Sequence, residues 1–130
     1  MPVRLLKQSL IKWPDEAIVV AAVSNWAEQL GNNHPMLEKV GIYGSYGRGD
    51  ASFGSDLDLV IIDAAAKGSQ STRFRCWPFE LLPLSCDALI FTPAEYELLL
   101  QGALKEPASK LMAQVMLFHC RWLWSRQLSN

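Results

Sequence analysis

The sequence predicts an α/β (α+β) domain: a small mixed β-sheet packed against helices. Three observations predict it. An apolar stripe of helical period fills the N-terminal quarter, short alternating or β-branched runs follow near residues 38–62 and 86–92, and a capped helix follows those. A length of 130 residues suits one domain, 1–130, with a single core.

PDEAIVVAAVSNWAEQLGNN reads as a helix, with Pro14 in its first turn, acidic residues next and Gly31 near its end. Ile18, Val19, Ala22, Val23, Trp26 and Leu30 recur at three- and four-residue spacing and predict its buried stripe. LEKVGIYGS is a short strand ending in glycine, YGRGDASFG a turn or single helical turn, and DLDLVIID a second strand. Residues 64–72, AAAKGSQST, are small and polar, a surface loop. FRCWPFELLPLS holds two prolines and predicts an edge strand broken by turns. CDALIFT is a third, short strand. TPAEYELLLQGALKEPA opens a helix, with Thr92 and Glu95 at capping-box spacing and Pro93 at the first helical position. SKLMAQVMLFHCRWLW predicts a helix passing into a strand near Arg121.

Composition narrows the function. Half the residues are apolar and 19% are charged, which rules against disorder. A net charge of −1 gives no sequence-wide basic field, so direct binding of nucleic acid is not expected. The apolar runs at 17–23 and 57–62 are too short for a membrane span, and MPVRLLKQSLIKW lacks a signal-peptide core and cleavage site. A cytoplasmic protein without membrane contact is expected. Cys76, Cys86 and Cys120 are odd in number and lack CxxC spacing, which predicts buried, reduced thiols.

The chemistry concentrates in GSYGRGDASFGSDLDLVII, residues 44–62. Side chains alternate along a strand, so Asp56 and Asp58 share a face while Leu57 and Leu59 point the other way. Carboxylates so placed repel unless protons or cations intervene. Hard divalent ions are held by carboxylate and phosphate oxygens, so the pair is a platform for Mg²⁺ (Mn²⁺ is compatible), and two ions can activate an attacking oxygen and stabilise a leaving one. Asp87, at the head of the next strand, is the candidate third carboxylate, because its neighbours Leu89 and Phe91 offer no other reason for an acid there. Upstream, Gly44, Gly47 and Gly49 allow positive φ and close backbone approach, Ser45 adds a hydroxyl, and Arg48 a planar donor for phosphate oxygens. Together these residues suit a nucleoside triphosphate with magnesium.

Blander accounts cover the parts but not the combination. A glycine-rich turn is usually only a turn, and no GK[ST] follows to make a P-loop. The aspartate pair by itself could be a solvated strand end. A calcium loop starting at Asp56 fails at its twelfth position, Lys67. Asp63 reads as a strand-end residue, Asp50 as a solvated turn residue, and His34 and His119 as structural.

Gly44-Ser45, Arg48-Gly49 and Ser55-Asp56-Leu57-Asp58-Leu59 occur in the order and spacing that resemble the DNA polymerase beta-like nucleotidyltransferase superfamily, in particular its minimal nucleotidyltransferase (MNT) branch. The resemblance extends to LSCDALIFTPAEYELL and spans about residues 38–100. It implies the nucleotidyltransferase fold, with Gly44, Ser45, Arg48 and Ser55 holding the nucleotide. It also implies that Asp56, Asp58 and Asp87 bind metal, with Asp87 serving as or positioning the base that deprotonates an acceptor hydroxyl. The implied reaction moves a nucleoside monophosphate, AMP from ATP, to that hydroxyl and releases pyrophosphate. Gly47 stands where many relatives have alanine, a change expected to loosen the turn, and the alignment across FRCWPFELLPL is irregular.

Larger relatives append a domain that grips the acceptor, for which 130 residues leave no room. Minimal members often act as antitoxins beside a helical HEPN-domain toxin, in some cases attaching AMP to it, and such a partner is expected here. Core packing explains most of the five tryptophans (Trp13, Trp26, Trp77, Trp122 and Trp124), with Trp77, Trp122 and Trp124 the candidates for its docking surface. Two rival readings share the same residues: a catalytically silent binding module, and an adenylyltransferase for an aminoglycoside-like small molecule, for which a homo-oligomer could supply the acceptor wall.

Overall fold

The computed structural model describes residues 15–51, 56–102 and 109–126. Trp13, Pro14 and Ser55 lie outside these residues. Helix α1 (Glu16–Asn33) leads into strand β1 (Leu37–Tyr43), the short helix α2 (Gly44–Arg48) and β2 (Leu57–Asp63). Helix α3 (Gln70–Phe74) and a 3₁₀ turn (Phe79–Leu81) precede β3 (Cys86–Phe91), and α4 (Pro93–Leu100), α5 (Ser109–Phe118) and β4 (Arg121–Ser125) follow.

The four strands form one sheet in the order β3-β2-β1-β4. β1 pairs antiparallel with β2 and with β4, and β2 pairs parallel with β3, so the sheet is mixed as expected. Both faces are covered. Val40, Ile42, Leu57, Leu59, Ile61 and Ile90 pack against α1 on one face, and Val60, Ile62 and Phe91 pack against Leu99 of α4 and Met116 of α5 on the other. None of the helices among the described residues is long and apolar enough to cross a membrane.

Several expectations need correction. The α1 stripe holds Val19, Val23, Trp26 and Leu30 as expected, but Ile18 is 60% exposed and Ala22 half-buried, and Ala27 takes their place in the core. The loop at 64–72 ends early, because the Ser69 hydroxyl accepts the Thr72 N–H and starts α3. Residues 73–84 contain no strand. Their prolines and mixed spacing instead let Trp77, Phe79, Leu82 and Leu84 close the core beside α1, where the Trp26 Nε1–H donates to the Pro78 carbonyl at 3.1 Å. Trp77 is therefore core, not a free docking surface. Trp124 packs on Gly31, and Trp122 meets Tyr96 edge-on at 5.6 Å, so both are half-buried. All three cysteines are free, but none is fully buried: Cys76 is exposed, and Cys86 and Cys120 are half-buried.

Two arginines fasten the periphery. Arg73 is nine-tenths buried and forms a two-pronged ion pair with Glu95, at 2.7 and 3.1 Å, while Glu95 and Thr92 complete the capping box of α4. Arg126 donates to the carbonyls of Leu37, Gly31 and His34 at 3.0, 2.8 and 2.9 Å, tying the last turn of α1, whose carbonyls lack intrahelical donors, to the start of β1. Arg126→Ala removes all three of these bonds, although the His34 carbonyl keeps the N–H of Leu37. It is expected to cost about 2 kcal/mol, a fall in Tm of about 8 °C in a thermal melt, with Arg126→Lys recovering part of it.

Candidate active site

Leu57, Leu59 and Ile61 are drawn into the core beneath α1, and strand alternation then sends Asp58 to the opposite face with Val60 and Ile62. The register places Tyr43 of β1 opposite Asp58 on one side and Asp87 of β3 on the other. A row Tyr43–Asp58–Asp87 therefore crosses three adjacent strands, spaced about 4.8 Å apart. Asp56 lies just ahead of β2 and is exposed. The helices α4 and α5 cover the other end of this face, leaving the carboxylate row at its open end.

The glycine turn is built against this row. Gly44 has φ 69°, and a Cβ there would lie 2.5 Å from Oδ2 of Asp58, so the carboxylate rests directly on the entry to α2. The first N–H groups of a helix have no intrahelical acceptors, and here they sit beside the half-buried Ser45. Arg48, in the last turn, makes an exposed 3.2 Å ion pair with Asp50. Such a pair contributes little to stability and leaves the guanidinium available to an anion. Gly47 does not loosen the turn. Its α-carbon is pressed against the carbonyls of His119 and Ile42, so a Cβ would strike backbone of the α5–β4 junction.

Electrostatics set the row apart. The Asp58 carboxyl is pushed above the ordinary carboxylate range, first by burial and then by Asp87 and Asp56, with Arg48 opposing. The Tyr43 phenol is pushed up by burial and by Asp58 and Asp87, so it stays neutral beside the acids. The Cys86 thiol, pushed up to about 11 by burial, Asp87 and Asp58, stays neutral as well. One oxygen of Asp87 accepts the N–H of Ala88 at 2.9 Å, which fixes that carboxylate and leaves its other oxygen free.

This donor set fits a divalent cation. It is all oxygen and carries mutually repelling negative charge. Among the described residues no three His, Cys, Asp or Glu side chains close around one point. Mg²⁺ in particular is usually held by one or two carboxylates, with substrate phosphates completing the shell. Asp58, with Asp56 or Asp87, can supply the protein's share and a nucleotide the rest.

The structure thus brings together Gly44, Asp56, Asp58 and Asp87, with Ser45 and Arg48 on the adjoining helix. Sequence reasoning missed Tyr43, which reads as an ordinary strand aromatic until the register is known.

A family model described as a nucleotidyltransferase domain matches residues 23–106, more than half of the chain. No curated protein matches the chain by sequence. Among solved structures, a candidate nucleotidyltransferase from Sulfolobus solfataricus superposes with a TM-score of 0.58 at 18% identity, covering 88% of this chain and 92% of that one. A toxin–antitoxin structure with AMP-PNP gives a TM-score of 0.52 at 20% identity, covering 80% of this chain and 74% of that one. A mutant of the toxin–antitoxin MntA-HpeT gives 0.50 at 17% identity, with the same coverage. These likenesses establish a shared fold.

Proposed function

Because this chain belongs to the nucleotidyltransferase domain family, we propose that it transfers AMP from ATP to a hydroxyl of a partner protein and acts as the antitoxin of that partner, a helical HEPN-type toxin. The observation that carries the reading is the row Tyr43–Asp58–Asp87 set against Gly44, with Asp56 alongside. The likeness to two toxin–antitoxin structures, one of them with AMP-PNP, favours the antitoxin role and the adenine nucleotide.

In this reading Ser45 and the free N–H groups of α2 hold the triphosphate, and Arg48 exchanges Asp50 for a phosphate oxygen. Ser55, outside the described residues, is assigned to the nucleotide as well. Asp56, Asp58 and Asp87 would hold Mg²⁺, which supplies charge neutralisation at the phosphates when bound. The free oxygen of Asp87 takes the proton of the acceptor hydroxyl. The hydroxyl oxygen bonds to the α-phosphorus as the bond to the bridging oxygen of the β-phosphate breaks, and pyrophosphate leaves with that electron pair. Tyr43, held neutral, keeps a hydroxyl donor beside the carboxylates without adding charge.

Co-expression with the product of the adjacent reading frame tests this reading. The partner is expected to copurify and to gain the mass of one AMP. Asp56→Asn with Asp58→Asn should remove the added mass and keep the complex. Full neutralisation of a toxic partner by that double variant would instead favour a silent binding module, and AMP found on an added aminoglycoside, with the partner unmodified, a small-molecule enzyme.

A further inference from the structure

Beside Asp87, on the outer edge of the sheet, lies an open cleft of about 620 Å³ between α3 and β3, lined by Gln70, Ser71, Phe74, Arg75 and Asp87–Leu89. Phe74 is held rigid there by stacking on Phe79 at 4.4 Å. Arg75 and Asp87 line this one cleft from opposite elements, yet no ion pair joins them among the described residues. Arg75 is exposed, and its guanidinium makes one bond, from Nε to the Ser71 carbonyl at 3.3 Å.

The backbone of β3 points to the kind of ligand. The Gln70 side chain pairs with both the N–H and the C=O of Ile90, each at 2.9 Å, as a neighbouring strand would. Ile90 therefore faces outward, and alternation makes Ala88 the next outward residue. The bond from the Leu57 N–H to the Ser85 carbonyl agrees, since it places the odd-numbered residues toward β2. At Ala88 the N–H is taken by Asp87, and no described side chain bonds the carbonyl. The edge is thus blocked at Ile90 and open at Ala88, where it borders the carboxylate assigned to the acceptor.

We propose that this cleft is the acceptor site and takes an extended polypeptide segment, whose amide bonds the Ala88 carbonyl and whose acidic side chain, next to the hydroxyl-bearing residue, pairs with Arg75. An open sheet edge selects a peptide backbone, because main-chain bonds of that kind are what strand addition supplies. The unpaired guanidinium selects a carboxylate. Arg75 is then a specificity residue for the acceptor. The assignment of the hydroxyl rests on the proposed nucleotidyl transfer, but the docking does not.

The test uses fluorescently labelled peptides of one tyrosine-containing extended sequence, differing in a single glutamate or lysine beside the tyrosine. Their binding to the full chain is read by anisotropy without nucleotide. The glutamate peptide is expected to bind at least tenfold more tightly than the lysine peptide, and Arg75→Glu to invert that order. One amide of the glutamate peptide, the one that donates to the Ala88 carbonyl, should exchange more slowly when bound than in the free peptide. Equal binding of the two peptides, or a preference that Arg75→Glu leaves unchanged, would overturn the proposal. Where Arg75→Glu lowers Tm, Arg75→Gln gives the second reading, and it should abolish the preference. Transfer of AMP to the bound peptide is scored separately, so selective binding without transfer would count against the proposed reaction and not against the cleft.

Discussion

Asp58→Asn is expected to lower nucleotidyl transfer by roughly a thousandfold, about 4 kcal/mol, while raising the Tm of the nucleotide-free protein. The two effects have one origin. Asp58 stands between Asp87 in register and Asp56 two residues upstream, and its proton is held more tightly in the folded protein than in the unfolded chain. The sign follows from proton linkage. Where the folded state binds the extra proton, stability falls as pH rises from the ordinary carboxylate range through the raised value, and above it the whole penalty is in place. At neutral pH the asparagine removes that repulsion at nearly constant shape, whereas the nucleotide and its cation lose the central carboxylate. Because the group is half exposed, solvent screens the gain to less than about 1 kcal/mol, a rise in Tm of at most about 4 °C. Thermal melts at pH 4 and pH 7.5, alongside a transfer assay, check both halves. The difference between variant and wild type should shrink at the lower pH.

Gly47→Ala is expected to be among the most damaging single-methyl changes in the chain. The added Cβ meets the carbonyl of His119 and lies 2.9 Å from that of Ile42, and both are backbone atoms that cannot rotate away. Either α2 or the α5–β4 junction must move. Overpacking of this kind costs about 2–3 kcal/mol, a fall in Tm of about 10 °C. Since α2 also carries Ser45 and Arg48, the displacement should weaken ATP binding at least tenfold at temperatures where the variant is still folded. Calorimetric titration with ATP and Mg²⁺ measures this, and Gly49→Ala is the control. Gly49, unlike Gly47, has positive φ, and no atom lies within 4 Å of its added Cβ, so strain without collision should affect stability more than affinity.

What could be read from the sequence followed the range of the forces involved. The Thr92–Glu95 capping box is local, and both of its hydrogen bonds are present. The Asp58 strand was legible because Leu57, Leu59 and Ile61 alternate with it. Its adjacency to Asp87 was suggested by chemistry, but depended on a β2–β3 register that no local pattern specifies. The fit at Gly47 was invisible, because its colliding partner His119 is far away in sequence and acts through its backbone. The segment 73–84 misled for a related reason: Trp77, Phe79, Leu82 and Leu84 follow neither a helical nor a strand period, and only the space left beside α1 organises them. The stripe of α1 was right at Val19, Val23, Trp26 and Leu30 and wrong at its edge, because Ile18 and Ala27 are both apolar and the sheet alone decides which of them faces it.

The central claim is that the α-phosphorus of a nucleoside triphosphate is the atom attacked at the Asp58 row. The most direct measurement is the fate of label in ATP carrying radioactive phosphorus at either the α or the γ position, incubated with the chain, Mg²⁺ and the proposed partner. The α label is expected to become covalently attached to the partner while γ label appears only in pyrophosphate, and both products should fall about a thousandfold with Asp58→Asn. Attachment of γ label to the partner, with ADP as the other product, would contradict it.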